Sequence, residues 1–126
     1  MKRADFIEHW IVALESGQWR QAKKKLYKHT SRGDSYCCLG VACQLANMIA
    51  GKHNDLTLAS DWSELLPKSM EKFLGIPSDG SFKEAIQHNG KTYHTLTELN
   101  DDGVRFKTIA KIIREQMKNK NFEKVG

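Results

Sequence analysis

The sequence has no long hydrophobic run. No apolar stretch approaches the ~18 residues that would suggest a membrane span, so a membrane protein is not expected. A secretory leader is not expected either. Met1-Lys2-Arg3-Ala4-Asp5 is basic, but Glu8 and His9 interrupt the stretch where a signal would carry an apolar region of about 7–15 residues. There is no even complement of cysteines. Three Cys without a secretion signal argue against a disulfide framework and for a reducing, cytoplasmic location. The phosphate-binding G-x-x-x-x-G-K-[ST], the dinucleotide-binding G-x-G-x-x-G and the zinc-protease H-E-x-x-H are all absent. Internal repeats and long linkers are absent too, which leaves one domain.

What is present is an ordinary globular balance. The chain has 126 residues, 40% of them hydrophobic and 28% charged, enough for a modest core. The formal net charge of +5 is uneven. Residues 1–35 hold eight Lys/Arg against four Asp/Glu, residues 36–104 five against nine, and residues 105–126 seven against two. Both ends are basic and the middle is acidic. Such a pattern suits an anionic partner, although Lys-rich solvated helix faces produce it as well.

Along the chain, Asp5 followed by Glu8 reads as an N-cap and capping box, and Phe6, Ile7, Trp10, Ile11 and Leu14 recur at helical spacing. Gly17 ends this helix. A second short helix is expected to carry Trp19, Ala22 and Leu26 on one side and Lys23, Lys24, Lys25 and Lys28 on the other. His29 to Gly33 reads as a loop. Asp34 or Ser35 can cap a third helix from Tyr36 to Ala50, stopped by Gly51. That helix is apolar almost all round, as a central buried helix would be. Gly40 inside it costs about 1 kcal/mol against Ala, which predicts close approach of another element there.

Residues 51–65 are polar and turn-rich. Pro67 suits the start of a helix with Met70, Phe73 and Leu74 on its apolar side, ended by Gly75 and Pro77. Ala85 to His88, Asn89-Gly90 and Lys91 to His94 read as a hairpin with a two-residue turn. Thr95 can cap a short helix carrying Leu96 and Leu99, broken at Asn100-Asp101-Asp102-Gly103. Phe106, Ile109, Ala110, Ile113 and Met117 mark an amphipathic last helix. The expected fold is α+β, a mainly helical single domain over residues 1–118 with one hairpin, followed by a polar tail over 119–126 that should fray.

The run Tyr36-Cys37-Cys38-Leu39-Gly40-Val41-Ala42-Cys43 looks like chemistry. On a helix each residue turns about 100°, so the three Cys point about 0°, 100° and 240° around the axis and cannot aim at one metal. The paired C-x-x-C spacing of structural zinc is missing, and His29, His53, His88 and His94 stand at no ligand spacing from the Cys. No metal and no cofactor are expected. Cys37 and Cys38 in a first helical turn could be thiolate nucleophiles. Leu39, Val41 and Leu45 around them argue instead for buried structural thiols. Asp101-Asp102 beside Gly103 reads as a turn rather than a metal site. No catalytic residue is assigned.

Two features suggest binding. Gly103 followed by Ile109-Ala110 is like the opening of a helix-turn-helix domain, but Lys111 to Met117 continue one helix where a turn is required. Trp19, beside Arg20, Gln21, Lys23, Lys24, Lys25 and Lys28, could stack on a base while the cations hold phosphate. The competing role for Trp19 is to pack the N-terminal elements together.

With these segments placed, the chain resembles an uncharacterised family of small proteins from tailed phages and bacterial prophage genomes. The matching pieces are Trp10, Ala13 to Gln21, Leu26, Tyr36 to Val41 with Cys43, Leu66-Pro67, Leu74-Gly75, Leu96, Leu99 to Asp101, Gly103, Phe106 and Ile109-Ala110. Their order over residues 10–110 carries the resemblance; each alone is weak. Lys23-Lys24-Lys25 departs from the pattern, where relatives should carry Gly or fewer charges. The resemblance implies a phage context and a compact α-rich fold with a small β element, but no reaction. The favoured expectation is a non-enzymatic phage accessory protein that binds a nucleotide, a nucleotide-derived signal of host defence, or nucleic acid. Its ligand-binding residues would be Trp19, Arg20, Gln21, Lys23, Lys24, Lys25 and Lys28. The alternatives are an inhibitor or adaptor docking on a host or phage enzyme through an apolar patch at Trp62, Leu65 and Leu66, and a Cys-dependent enzyme.

Overall fold

A computed structural model describes residues 2–50 and 65–125. The expectations for Gly51, for the turn-rich stretch up to residue 64 and for Trp62 lie outside the described residues. Within them the element order is α1 (Arg3–Glu15), β1 (Tyr27–Thr30), β2 (Gly33–Tyr36), α2 (Cys38–Ala50), α3 (Lys68–Leu74), β3 (Ser81–His88), β4 (Lys91–Thr95), α4 (Leu96–Asp101) and α5 (Phe106–Lys118). Helices and two antiparallel two-stranded sheets, β1-β2 and β3-β4, make a mixed α+β fold. The single expected hairpin is thus joined by a second.

α1 buries Phe6, Ile7, Trp10, Ile11 and Leu14, the periodic set in the sequence. It starts at Arg3, with Lys2 in the cap position and no side-chain cap. Asp5 therefore lies inside the first turn, where its charge suits the helix dipole but does not cap. The indole N–H of Trp10 donates to the Cys38 carbonyl at 2.9 Å and ties α1 to α2. α1 also packs along α5.

The expected helix over Trp19, Ala22 and Leu26 does not form. The backbone there bonds across to β2 instead: Ala22 N–H to the Tyr36 carbonyl at 2.7 Å, and Tyr36 N–H to the Arg20 carbonyl at 2.8 Å. Lys24 takes a φ of 65°, which no helix allows. Residues 29–33, expected as a loop, belong to the β1-β2 hairpin, with Tyr27 paired to Tyr36 and Thr30 to Gly33. Both strands are mostly polar, so no apolar alternation announces them.

α2 begins at Cys38, two residues later than expected, because Tyr36 is used by β2. Neither Asp34 nor Ser35 caps it. The Cys38 N–H donates to the side-chain oxygen of Asn100 at 3.1 Å, and the Gly40 N–H donates to Cys37 Sγ at 3.3 Å. The expected close approach at Gly40 is Leu26. A Cβ on Gly40 would lie 1.8 Å from the Leu26 carbonyl oxygen.

α3 follows Pro67 and ends at Gly75, whose φ of 70° supplies the left-handed cap. The Arg3 guanidinium donates to the Phe73 and Lys72 carbonyls at the end of α3, at 2.8 and 3.1 Å. Leu66 is buried in the core, so it cannot belong to an exposed patch with Leu65, which is exposed. In the second hairpin Asn89 and Gly90 have φ of 48° and 78°, the two positive values a type I′ turn requires. Thr95 and Glu98 form a reciprocal capping box on α4.

The segment after α5, expected to fray, is docked on β3 through residues 121–123. Phe122 is buried and bridges antiparallel to Phe82, their rings 5.3 Å apart. Asn121 brackets Glu84, accepting its N–H at 2.8 Å and donating to its carbonyl at 2.9 Å. α1, α2, α4 and α5 enclose the core around Trp10, Leu39, Leu99, Ile109 and Ile113. No helix among the described residues is long and apolar enough to cross a membrane.

Candidate functional site

The basic segment 19–28 is held by the structure piece by piece. Trp19 is half-buried and packs edge-on to Tyr36, with rings 5.2 Å apart. Arg20 donates to the Arg32 carbonyl at 2.6 Å. Gln21 donates through Nε2 to Asn100 Oδ1 at 3.0 Å and to the Val104 carbonyl at 2.8 Å. The Lys24 N–H donates to Asp101 Oδ1 at 2.7 Å. Lys25 is half-buried, and Lys28 pairs with Ser35 in the β1-β2 hairpin. Lys23 is exposed, and its ammonium lies 3.5 Å from where a Cβ on Gly103 would sit. The segment thus docks on the C-terminal end of α4 and the loop that follows.

Asn100 is the joint of that docking. Its Oδ1 accepts from the Cys38 N–H and from Gln21, and its Nδ2 donates to the Ala22 carbonyl at 2.7 Å and to Asp101 Oδ1 at 3.4 Å. A backbone N–H can only donate and a carbonyl can only accept, so these partners fix which end of the amide is which. Among the described residues no buried side-chain nitrogen or oxygen lacks a partner.

Beside this joint an open cleft of about 340 Å³ lies between the tip of the second hairpin and the start of α5. His88, Lys91 and Tyr93 line it from the hairpin, Asp102 and Arg105 from the α4–α5 loop, and Thr108 from the first turn of α5. Tyr93 Oη and Lys91 Nζ both donate to Asp102 Oδ2, Lys91 at 3.1 Å. The Tyr93 hydrogen bond first, and the Lys91 contact second, hold the Asp102 carboxyl below its usual range, with Lys23 adding to the effect. The same bond to Asp102 raises the Tyr93 phenol. Asp102 is thus an ionised, already partnered carboxylate, and among the described residues it is the one carboxylate lining this cleft. A second hollow of about 470 Å³ shares the Tyr93–Asp102 wall and is acidic, with Glu98 and Asp101 on its sides.

Sequence reasoning placed Lys23 in a site but missed Lys91 and Arg105. They stand 68 and 82 positions further on, and only the meeting of hairpin and loop brings them to the same cleft. The available signal was the Asn89-Gly90 turn, which aims Lys91 back along the hairpin.

The cysteines lie inside the core. Cys37, Cys38 and Cys43 are free and buried. Burial pushes the Cys38 thiol well above its usual value and the Cys43 thiol up to about 12, the opposite of what a nucleophile needs. Cys38 Sγ faces the Leu96 carbonyl, at 3.9 Å.

Fold and cleft together define a small α+β domain with an open, cation-rimmed hollow at one hairpin tip. The chain belongs to the family described as a domain of unknown function, DUF8296, whose family model matches residues 1–117. No curated protein and no solved structure gives a significant match.

Proposed function

We propose that this protein is a non-enzymatic binder of a phosphate-bearing anion of nucleotide type, held in the cleft between the β3-β4 turn and the start of α5. One observation carries the reading: Lys91 and Arg105 line this cleft and Lys23 lies on Gly103 at its rim, while its one carboxylate is already partnered. Thr108 and Tyr93 add hydroxyls, and the N-terminal turn of α5 adds its positive dipole end. The Lys24 N–H bonds Asp101, the neighbour of Asp102. In the phage setting that the sequence pattern suggests, such a protein would sequester a nucleotide signal of host defence.

The test is calorimetric titration of the full chain with mono-, di- and cyclic nucleotides, using inorganic phosphate as the simplest probe. Lys91→Ala with Arg105→Ala should weaken the bound nucleotide at least tenfold without moving the thermal midpoint. Lys23→Glu should weaken it further. Equal affinity in wild type and the double variant would reject the cleft as the site.

A further inference from the structure

α5 carries a pattern that its packing does not need. Phe106, Ile109, Ala110 and Ile113 face the core. Away from them, Lys107, Lys111, Arg114 and Lys118 recur at steps of four, three and four residues. At about 100° per residue they fall within an arc of about 60°. All four are exposed. Arg114 is neutralised by Glu8 at 2.8 Å and Glu15 at 3.4 Å, both on α1. Lys107, Lys111 and Lys118 have no ion-pair partner among the described residues. Like charges four residues apart destabilise a helix; Lys107 and Lys111 repel in this way, and Glu115, four residues after Lys111 and three before Lys118, offsets part of the row's charge. Glu115 is the one carboxylate of α5, and it flanks the row rather than interrupting it.

In the chain the row begins at Lys107, between Arg105 and Thr108, which line the cleft; Lys107 itself does not line it. From Lys107 to Lys118 it runs about 16 Å, the length of about four to five phosphates at 3.4 Å per nucleotide along one strand. We infer that the cleft and the exposed face of α5 form one track for a nucleic-acid backbone, with the cleft holding one phosphate and the lysine row the next ones. Lysines are point charges without the planar fork that reads base edges, so the contact is sequence-independent. The inference rests on the cleft reading for its first phosphate only; the lysine row is a separate observation.

The experiment is fluorescence anisotropy of the full chain with a labelled oligothymidylate and with a duplex of equal length, at salt from about 50 to 200 mM. Three to four phosphate contacts predict a slope of log K on log salt of about −2.1 to −3.6, a loss of affinity of roughly 20- to 150-fold across that range. The variant Lys107→Gln/Lys111→Gln/Lys118→Gln should bind at least tenfold more weakly and flatten the slope by about two, with an unchanged circular dichroism spectrum. Whichever probe binds more tightly identifies the strandedness of the partner. No binding of either probe at low salt, or a wild-type slope in the triple variant, overturns the inference. Mononucleotide binding without oligonucleotide binding overturns it while leaving the cleft reading intact. Oligonucleotide binding that needs the lysine row but ignores Lys91→Ala and Arg105→Ala overturns the cleft reading and leaves the row.

Discussion

Asn100 fills every hydrogen-bonding position of its amide while fully buried. Aspartate there would lose both donors and bring a charge into the core, and glutamine would displace the group by one methylene. Asn100→Ala leaves the Cys38 N–H, the Gln21 amide and the Ala22 carbonyl without their partner. At about 1–3 kcal/mol per buried group left unpaired, partly relieved by water, the expected loss is about 3–4 kcal/mol. Urea denaturation of the variant checks it, and a loss below about 1 kcal/mol would mean that the segment 20–26 is docked by its other contacts, such as Gln21 on the Val104 carbonyl and Lys24 on Asp101, rather than by Asn100. The sequence offered Asn100 as a helix breaker. Its real role could not be read locally, because its partners are 62 to 79 positions away.

At the scale of elements, what could be read was whatever local chemistry decides. α1, α3, α4, α5 and the β3-β4 hairpin follow from apolar periodicity, from Gly75, from the Thr95–Glu98 box and from Asn89-Gly90. The segment around Trp19–Leu26 was misread because its lysines and alanine have helical propensity, and the competing bonds from β2 outweigh that propensity. The β1-β2 hairpin was hidden for the reason that makes it polar: neither strand covers an apolar layer along its whole length. The segment after α5 was misjudged on composition, since one aromatic, Phe122, and one bracketing amide, Asn121, suffice to dock it. Phe122→Ala should therefore lower stability by about 3 kcal/mol, and amide exchange at Lys83 and Glu123, whose N–H groups bond across this bridge, should accelerate. Exchange unchanged at both amides would show that Asn121 alone holds the segment.

For the molecule as a whole, the buried thiols set a pH boundary. The Cys43 thiol is raised from its usual 9.0 to about 12 by burial, and Cys38 is raised as well. Above pH 9 the unfolded chain gives up these protons while the folded one keeps them, so rising pH favours unfolding. The contribution is whole below the unfolded value and drains as pH climbs towards 12. The urea midpoint should thus fall steeply between pH about 9 and 11, and Cys43→Ala should make the decline shallower. In the native state the three thiols should label with a disulfide reagent only as fast as the protein unfolds. Rapid native labelling of one of them would show that the core opens locally. The cleft is a property of this same scale. Lys91 and Arg105 reach it from two stretches of chain and Lys23 stands by Gly103 at its edge, and the charge map of the sequence could show that both ends are basic without showing this meeting.

The amide of Asn100 has a further consequence, in time rather than in energy. It binds residues 21, 22 and 38 from position 100, so its bonds close loops of more than sixty residues. Closing such loops is entropically uphill until other contacts hold them, and these three bonds need α4, the start of α2 and the 20–26 segment already in place. They are therefore expected to form after the rate-limiting barrier. Asn100→Ala is then expected to leave refolding nearly untouched and to speed unfolding on the order of a hundredfold. The residue acts as a latch, set last and released first, and it governs how long the folded molecule lasts rather than how quickly it is made.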